Sequence, residues 1–514
     1  MMNLTGVLRP YFLRRARRMD AWARPGVPRQ VQTGVLRSLL HAARHTAAGG
    51  SRGFSELLSM PDDVLPRAFA SRVPQADYEL LRPMAMRMLC GERDLLWPGV
   101  TRNFAQSSGT SGGKSKYVPV TPASLRLNHF AGAADAVAAY MRLNPRSRLF
   151  SGKALILGGS FANELGSEVP PGVSVGDLSA TLIDKAPWLG AMMRTPSREL
   201  ALMSRWEEKL PALVEAARKA PVTSLSGVPS WFLILLREVL EREGARSLHD
   251  VWPGLEVFFH GGISFEPYRA EYASFTDSSR MSFLETYNAS EGFFAVQTDF
   301  DDRSMQLLLD RGVYYEFSPM MPDGSWGEPL PVWDVEPGRT YSMLVSSCNG
   351  LWRYAIGDTV RFASVAPHKL IIAGRTRSFI NAFGEELMEC NAENAMAEAC
   401  RATGSRVADY TAGPVYAHGG LRGRHRWLVE FTEPPASMQE FAYCLDTALQ
   451  RVNSDYQAKR AGDIFLDAPQ VVAVSRGHFA SWLAANGNGK LGGQRKIPRL
   501  CPTAEILASF EPQS

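Results

Sequence analysis

Apolar and polar residues follow two different patterns along this chain, and each pattern predicts a different kind of element. In the first hundred residues, apolar positions separated by polar breaks predict helices, for example around residues 31–45 and over residues 77–92. Farther on, short apolar runs beginning at Ala154, Val222 and Leu255 end in glycine-rich turns and lead into helical patterns. Strand, tight turn and helix in succession predict crossover units and a largely parallel sheet, which binds ligands at the carboxyl ends of its strands.

Residues 314–362 differ, because apolar and polar residues alternate there around turn signals at 322–324 and 349–350. This pattern predicts antiparallel strands, arranged as a small barrel or a meander. After a strand at 370–373 the pattern becomes helix, strands, helix and strand, with helices near 385–403 and 437–453. We therefore predict an α/β fold. A large N-terminal domain, residues 1–374, would hold mixed and parallel sheets and a small β-barrel-like part, followed by a smaller α+β domain, residues 375–514.

Composition narrows the class of protein. The 514 residues are 45% hydrophobic and 21% charged, which gives enough apolar surface to fold and excludes a disordered protein. The net charge is only +4 and the two signs are mixed, which argues against a nucleic-acid partner. Arg14, Arg15, Arg17 and Arg18 form one basic cluster, which we interpret as the solvated face of an N-terminal helix.

Membrane and disulfide signals are weak in the sequence. No apolar run approaches the ~20 residues needed to span a bilayer, and the start of the chain carries charges too early for a signal peptide. The six cysteines form no CxxC pair and no metal spacing with histidine, so we expect buried thiols in a reducing compartment. These features predict a soluble, cytoplasmic protein with no membrane partner.

The most informative segment is residues 107–116, which contain only serine, threonine, glycine and lysine. Small residues let backbone N–H groups approach an anion closely, and Lys114 and Lys116 add positive charge, so this segment predicts a phosphate site. It is not a Walker A loop, because that motif has four residues between its first and second glycines. Here Gly109 and Gly113 enclose three, and residues 117–120 predict a strand before a helix that Thr121 caps.

Three further segments carry candidate chemistry, each with a structural alternative. In residues 287–292 an aromatic face of Tyr287 could stack on a base and Glu291 could bind Mg²⁺, although a core tyrosine and a helix cap explain them equally. Asp358 follows a glycine at a strand end and suits ribose hydroxyls, although a turn aspartate is as common. Residues 489–499 place lysines on a glycine-rich loop, which could stabilise a phosphoryl or carboxylate oxygen or could be a basic surface turn.

Together and in this order, these segments resemble the adenylate-forming enzymes, and more closely the Gretchen Hagen 3 family of acyl acid–amido synthetases. The resemblance also includes residues 32–36 and 97–99 and covers nearly the whole chain. It implies a nucleotide site for ATP and Mg²⁺ and a mobile C-terminal lid. By resemblance, the phosphate-binding loop is Ser107, Ser108, Gly109 and Thr110; the adenine turn is Gly261 and Gly262; the second nucleotide motif is Tyr287, Ser290 and Glu291; the ribose carboxylate is Asp358; the hinge arginine is Arg375; and the lid lysine is Lys496, with Lys490 as a second candidate.

The chain departs from the family pattern near the hinge. The superfamily usually has an aspartate three residues after the hinge arginine, where this chain has Ser378. Plant members carry a lysine near the hinge, where this chain reads Phe383-Gly384-Glu385-Glu386. The hinge residue and the lid contact to phosphate therefore stay open.

The resemblance implies an AMP-forming ligase with Lys496 and Glu291 as catalytic residues and Glu291 as the metal ligand. A carboxylic acid would be activated as an acyl-adenylate and transferred to an amine, an amino acid, to form an amide. Two alternatives remain: an acyl-CoA synthetase-like ligase with a thiol acceptor, and a nucleotide-binding scaffold without catalysis. Neither the identity of the acid and amine nor the oligomeric state follows from the sequence.

Overall fold

The computed structural model describes the chain in two compact units. The described residues are 3–107, 115–163, 165–262, 265, 268–321, 325–375, 379–385, 387–416, 423–461, 466–479, 481–482 and 497–511. The first unit holds the described residues up to Arg375, apart from Ser115, Phe265 and 268–271, which group with the second unit from Phe379 onward.

Helices form the start of the first unit, as the apolar spacing predicts. They are α1 (Thr5–Ala21), α2 (Val27–Ala43), α3 (Ala47–Ser51), α4 (Phe54–Leu58), α5 (Leu65–Arg72) and α6 (Tyr78–Leu89). Asp77 caps α6 by accepting a hydrogen bond from the N–H of Leu80 at 3.2 Å. The buried amide of Gln32 fixes α2 to the sheet, since it donates to the carbonyl of Val313 (2.9 Å) and accepts from the N–H of Tyr315 (2.9 Å).

The middle of the first unit alternates strands and helices, and the last of these helices begins at Arg269, among the residues that group with the second unit. Its elements are β1 (Asn103–Ser107), β2 (Lys116–Val120), α7 (Pro122–Ser124), a π-helical turn (Leu125–His129), α8 (Phe130–Leu143), β3 (Lys153–Ile156), β4 (Ser174–Gly176), α9 (Leu178–Asp184), α10 (Trp188–Met193), β5 (Arg194–Thr195), α11 (Arg198–Ala201), α12 (Trp206–Lys219), β6 (Val222–Gly227), α13 (Pro229–Glu243), α14 (Leu248–Val251), β7 (Val257–His260) and α15 (Arg269–Ser274). Thr121 caps α7 as predicted, because its hydroxyl accepts the N–H of Ser124 at 3.0 Å.

Antiparallel strands complete the first unit. They are β8 (Ser282–Ala289), β9 (Gly292–Gln297), β10 (Met305–Leu307), β11 (Val313–Pro319), β12 (Leu330–Pro331), β13 (Thr340–Ser347), β14 (Tyr354–Val365) and β15 (His368–Arg375). The described strands form one 12-stranded sheet in the order β12-β11-β13-β14-β15-β10-β9-β8-β7-β6-β3-β5, beside a three-stranded sheet in the order β2-β1-β4.

The large sheet joins a parallel and an antiparallel part. Strands β5, β3, β6, β7 and β8 pair in parallel, which confirms the predicted crossover units. From β8 to β12 every neighbouring pair is antiparallel. The antiparallel region that the alternating pattern predicts is therefore a meander continuous with the parallel strands, rather than a separate barrel.

The second unit is a small α+β domain with its own core. Its elements are β16 (Phe379–Ile380), β17 (Leu387–Met388), α16 (Glu389–Thr403), β18 (Arg406–Tyr416), β19 (Gly423–Glu433), α17 (Met438–Val452), α18 (Ser454–Arg460), β20 (Gln470–Val474) and α19 (Ala504–Ala508). Trp427, Phe441 and Leu449 are fully buried in this core. Glu385 is also buried, and its carboxylate contacts Nε2 of His425 at 2.7 Å. Glu385 belongs to the segment where plant members of the family carry a lysine, and it lies inside the core of this domain.

The N-terminal basic cluster is only partly a solvated face. Arg14 and Arg17 are exposed, as predicted. Arg15 is different, because its guanidinium donates to the buried carboxylate of Asp135 at 2.9 Å and to the carbonyl of Ala131 at 2.7 Å. The interpretation of the whole cluster as solvated is therefore wrong for Arg15, which fixes α1 to α8 by an ion pair with Asp135.

The cysteines whose side chains the structure describes are free thiols. Cys348 and Cys501 are buried, as predicted, but Cys90 is exposed, so the expectation of buried thiols is wrong there. Within the described ranges, every helix is too short or too polar to cross a bilayer.

Candidate active site

The carboxyl ends of the parallel strands lie level with one another at one edge of the large sheet. Gly227 at the end of β6 pairs with His260 at the end of β7, and His260 pairs with Glu285 of β8. Strand β8 continues beyond this level to Ala289. In open parallel sheets, this edge is where ligands bind. The predicted adenine turn and the predicted second nucleotide motif therefore stand side by side.

The Gly261-Gly262 turn requires glycine for two physical reasons. A Cβ atom on Gly261 would lie 2.3 Å from the carbonyl oxygen of Thr286, closer than any real contact. Gly262 has φ +84°, a conformation that L side chains rarely adopt. The hydroxyl of Thr286 also donates to the carbonyl of His260 at 3.0 Å. The end of β7 is therefore held tightly against β8.

Ser290 and Glu291 form the two-residue turn between β8 and β9, because Ala289 pairs directly with Gly292. Ser290 is half-buried, and Glu291 is 8% exposed. The alternative that Glu291 caps a helix is wrong, since it connects two strands.

The side chains of two asparagines form hydrogen bonds with the backbone of this hairpin. The amide of Asn349 donates to the carbonyl of Glu291 at 3.1 Å. The carbonyl oxygen of the Asn128 side chain accepts the N–H of Phe293 at 2.6 Å. Neither residue is predicted from the sequence as part of the site. Asn349 carries only a turn signal, and Asn128 carries no local signal, because their partners lie far away along the chain.

Tyr287 positions the predicted ribose carboxylate. Its hydroxyl donates to Oδ2 of Asp358 across 2.6 Å, and both residues are buried, with 3% and 8% exposed. The ring of Tyr287 packs edge-on against Phe294, with centroids 5.1 Å apart. The tyrosine is thus a core residue, and its hydroxyl links β8 to β14.

Asp358 lies at an irregularity in β14. The pairing of β13 with β14 shifts between Ser342, opposite Thr359, and Leu344, opposite Ala355. Gly357 has φ +92° within this irregular stretch. Bulges of this kind redirect a side chain and often stand beside active sites. On the other side, the backbone of Asp358 pairs with Arg375, the predicted hinge arginine, whose side chain lies outside the description.

The residues just before Asp358 are structural. Arg353 has φ +45° and is 5% exposed. Its guanidinium forms an ion pair with Glu316 at 2.9 Å and donates to the carbonyl of Val73 at 2.8 Å. The indole N–H of Trp352 donates to the carbonyl of Leu96 at 3.2 Å. These contacts fix the start of β14 to the N-terminal helices.

The described ends of the serine–glycine segment are the ends of a hairpin. Ser107 at the end of β1 pairs with Lys116 at the start of β2. Lys116 is 4% exposed, and its ammonium lies 6.0 Å from the ring centroid of Tyr78. The predicted site residues Ser108, Gly109, Thr110, Lys490 and Lys496 lie outside the described residues, as do Ser378 and Glu386.

Family models match most of the chain. The GH3 family N-terminal domain matches residues 26–168 and 165–281, the GH3 family central domain matches residues 306–375, and the GH3 family C-terminal domain matches residues 390–505. The chain belongs to the GH3 family. This confirms the resemblance that the motifs carry.

Curated relatives of this GH3 protein include plant amido synthetases. The probable indole-3-acetic acid-amido synthetase GH3.1 of Oryza sativa subsp. japonica is 23% identical over 562 residues, covering 93% of this chain and 88% of the relative. Indole-3-acetic acid-amido synthetase GH3.4 of Arabidopsis thaliana is 24% identical over 286 residues, covering 50% of this chain and 47% of the relative. The matched part of the chain thus spans about half the length of the second relative.

Solved structures show the fold of this GH3 protein. GH3.15 acyl acid amido synthetase in complex with 2,4-DB is 18% identical with a TM-score of 0.58, covering 94% of this chain and 93% of that chain. A 2-hydroxyisobutyryl-CoA ligase with bound 2-HIB-AMP and CoA is 14% identical with a TM-score of 0.54, covering 95% and 92%. The predicted α/β fold is therefore confirmed, and these two enzymes share it.

Glu291 is the residue that the family resemblance predicts as the Mg²⁺ ligand. The described part of the chain contains no group of three or more His, Cys, Asp or Glu side chains that could hold a metal ion. Mg²⁺ typically takes one or two carboxylates and completes its shell with water and substrate phosphates. The single carboxylate of Glu291, at a turn on the sheet edge, fits that mode.

Proposed function

We propose that this GH3 protein activates a carboxylic acid with ATP and transfers the acyl group to an amino acid, forming an amide. The observation that carries the proposal is the Tyr287–Asp358 hydrogen bond beside the Gly261-Gly262 turn and the Ser290-Glu291 hairpin. Family membership and the plant amido synthetases among the relatives support it.

The nucleotide would bind along the sheet edge. Ser107, Ser108, Gly109 and Thr110 would bind the phosphates of ATP through backbone N–H groups and hydroxyls. The closely packed turn at Gly261 and Gly262 would pass beside the adenine, and Asp358 would accept hydrogen bonds from the ribose hydroxyls. Mg²⁺ held by Glu291 would supply positive charge near the phosphates.

In the first half-reaction, a carboxylate oxygen of the acid attacks the α-phosphorus of ATP. An acyl-adenylate forms and pyrophosphate leaves. Negative charge gathers around the α-phosphate in the transition state, so fixed N–H groups and a lysine are the expected stabilising groups. We assign the lysine as Lys496, on a lid formed by residues 375–514 with Arg375 at its hinge.

In the second half-reaction, the neutral amine nitrogen attacks the acyl carbon. The amide forms, AMP leaves with the electrons of the broken C–O bond, and the amine loses one proton. A mixed anhydride reacts readily with an amine, so the protein contributes orientation and exclusion of water more than activation of the nucleophile.

A thiol acceptor is the second candidate, because the fold is also similar to that of a CoA ligase. One experiment distinguishes the two reactions. Purified protein is incubated with ATP–Mg²⁺, pooled carboxylic acids and either pooled amino acids or CoA, and the products are identified by mass spectrometry. Amide conjugates support the proposal. A thioester with no conjugate from any amino acid contradicts it and leaves only adenylation, and no product in either arm contradicts both candidates.

A further inference from the structure

Helix α12 carries a lysine in an unusual environment. Lys209 is 4% exposed, and its ammonium donates to the carbonyl of Gly158 at 2.9 Å. Among the described side chains, no carboxylate forms an ion pair with it. A buried ammonium is costly unless an anion compensates it, whereas a neutral donor such as glutamine satisfies a carbonyl at far lower cost. The charge of Asp177 compensates this cost only in part, since the net effect of the surroundings is still to lower the pKa of Lys209. The positive charge therefore needs a further explanation.

Burial also acts on the protonation of this group. It lowers the pKa of Lys209 to about 8, and the charge of Asp177 opposes that change. The ammonium is thus mainly charged at neutral pH, and an additional anion nearby would favour its charged form further.

The contact of Lys209 lies at the carboxyl end of β3, where the chain turns through Gly158, Gly159 and Ser160. A Cβ atom on Gly159 would lie 2.6 Å from the Cβ of Asp177. The N–H of Asp177 donates to the carbonyl of Ser160 at 3.1 Å. The ammonium therefore holds a turn that is itself packed against Asp177.

Asp177 connects this turn to the predicted phosphate segment. It follows β4, whose last residue, Gly176, pairs in parallel with Ala105 of β1. The end of β1 therefore lies level with Asp177, and this end is Ser107, the first residue of the segment. Within the large sheet, Ile156 at the end of β3 pairs with Ser226 of β6, and the next residue, Gly227, pairs with His260 beside the Gly261-Gly262 turn. Lys209 therefore contacts the turn at the carboxyl-end edge of the large sheet, where ATP is proposed to bind.

We propose that Lys209 is a positioning residue that holds the turn after β3 and supplies a buried positive charge to the edge where the anionic substrates bind. The inference rests on the proposed function, because ATP and a carboxylic acid are both anions. Lys209 is not proposed to contact the phosphates itself. Any lysine or arginine that does so would add its own charge to that of Lys209.

Three substitutions separate the charge from the hydrogen bond. Lys209→Met removes both, Lys209→Gln keeps a donor without charge, and Lys209→Arg keeps the charge. Dissociation constants for ATP–Mg²⁺ are measured by calorimetry at pH 7, so that the assay does not depend on turnover. At an effective dielectric constant near 20, loss of one unit charge about 12 Å from an anionic group weakens binding about tenfold. Lys219 lies on the same helix with its side chain 79% exposed, and Lys219→Met is the matched control.

We expect Lys209→Met and Lys209→Gln to bind ATP–Mg²⁺ about tenfold more weakly, while Lys209→Arg and Lys219→Met stay near the wild type. Circular dichroism and thermal melting establish that each variant is folded. Wild-type affinity in Lys209→Met overturns the proposal, and wild-type affinity in Lys209→Gln overturns the role of the charge. If the wild type binds ATP–Mg²⁺ but shows no acid-dependent pyrophosphate exchange, the proposed function fails while this result still decides the role of Lys209.

Discussion

Removal of a single oxygen atom tests how the proposed nucleotide site is built. Tyr287→Phe deletes the hydroxyl that donates to Asp358 at 2.6 Å and leaves the ring packed against Phe294. A hydrogen bond to a charged group contributes roughly 1.5–3 kcal/mol. If this bond serves to orient the carboxylate for ribose, its loss raises the KM for ATP by about 10- to 150-fold. The value of kcat should change much less, because the tyrosine touches no reacting atom.

The assay is acid-dependent ATP–pyrophosphate exchange, measured with ATP and with 2′-deoxyATP. Wild-type protein should discriminate between the two nucleotides if Asp358 accepts hydrogen bonds from the ribose hydroxyls, as proposed. Tyr287→Phe should reduce that discrimination, and Asp358→Ala should weaken nucleotide binding and abolish discrimination. Tyr315→Phe is a matched control, since its buried hydroxyl donates at 3.3 Å to the backbone carbonyl of Leu308.

The double variant completes the test. If Tyr287 acts through Asp358, adding Tyr287→Phe to Asp358→Ala should have little further effect on the KM for ATP. The reasoning is refuted if folded Tyr287→Phe keeps the wild-type KM and the wild-type preference for ATP while Asp358→Ala loses both. Independent, additive losses in the double variant would instead indicate that the two residues contribute separately.

Three further outcomes follow from the sequence and the structure. Lys496→Ala should depress acid-dependent pyrophosphate exchange and leave folding intact, and loss in Lys490→Ala alone would show that the other lysine acts. Arg353→Met leaves the buried carboxylate of Glu316 without its ion pair, so urea denaturation should show a loss of about 3–5 kcal/mol, and an unchanged midpoint would contradict this. Burial lowers the pKa of His129 from 6.5 to about 4. Because the unfolded chain binds this proton more readily than the folded protein does, acid favours unfolding. The free energy of unfolding should therefore fall by about 3 kcal/mol as the pH drops from 6.5 to 4. His129→Leu should remove that part of the acid sensitivity, and an equal pH dependence in both proteins would count against it.

The sequence predicted local features of the fold well. Apolar spacing predicted helices around residues 31–45 and over residues 77–92, and α2 and α6 are there. The glycine turn after Val257–His260 was predicted from a short apolar run and two glycines. These features depend on residues that are close together in the sequence. The spacing of apolar residues, the capping residues of helices and the residues of turns all operate over this short range.

Several roles at the candidate site depend on contacts between distant parts of the chain. Tyr287 and Asp358 are 71 residues apart in sequence, and Lys209 is 51 residues from Gly158. The residues of such pairs meet because strand order and register bring them together. No local pattern encodes that register.

The apolar pattern by itself predicted an α/β chain, and the motifs in their order carried its resemblance to the GH3 family, with a small-residue segment and a candidate carboxylate, Asp358. Only the tertiary structure decided that Tyr287 is a core residue bonded to this carboxylate, that Arg353 supports the N-terminal helices, and that Lys209 is buried and donates to the carbonyl of Gly158. A residue's type limits which bonds it can form. Burial and the partner that the fold brings within about 3 Å decide which of those bonds it makes.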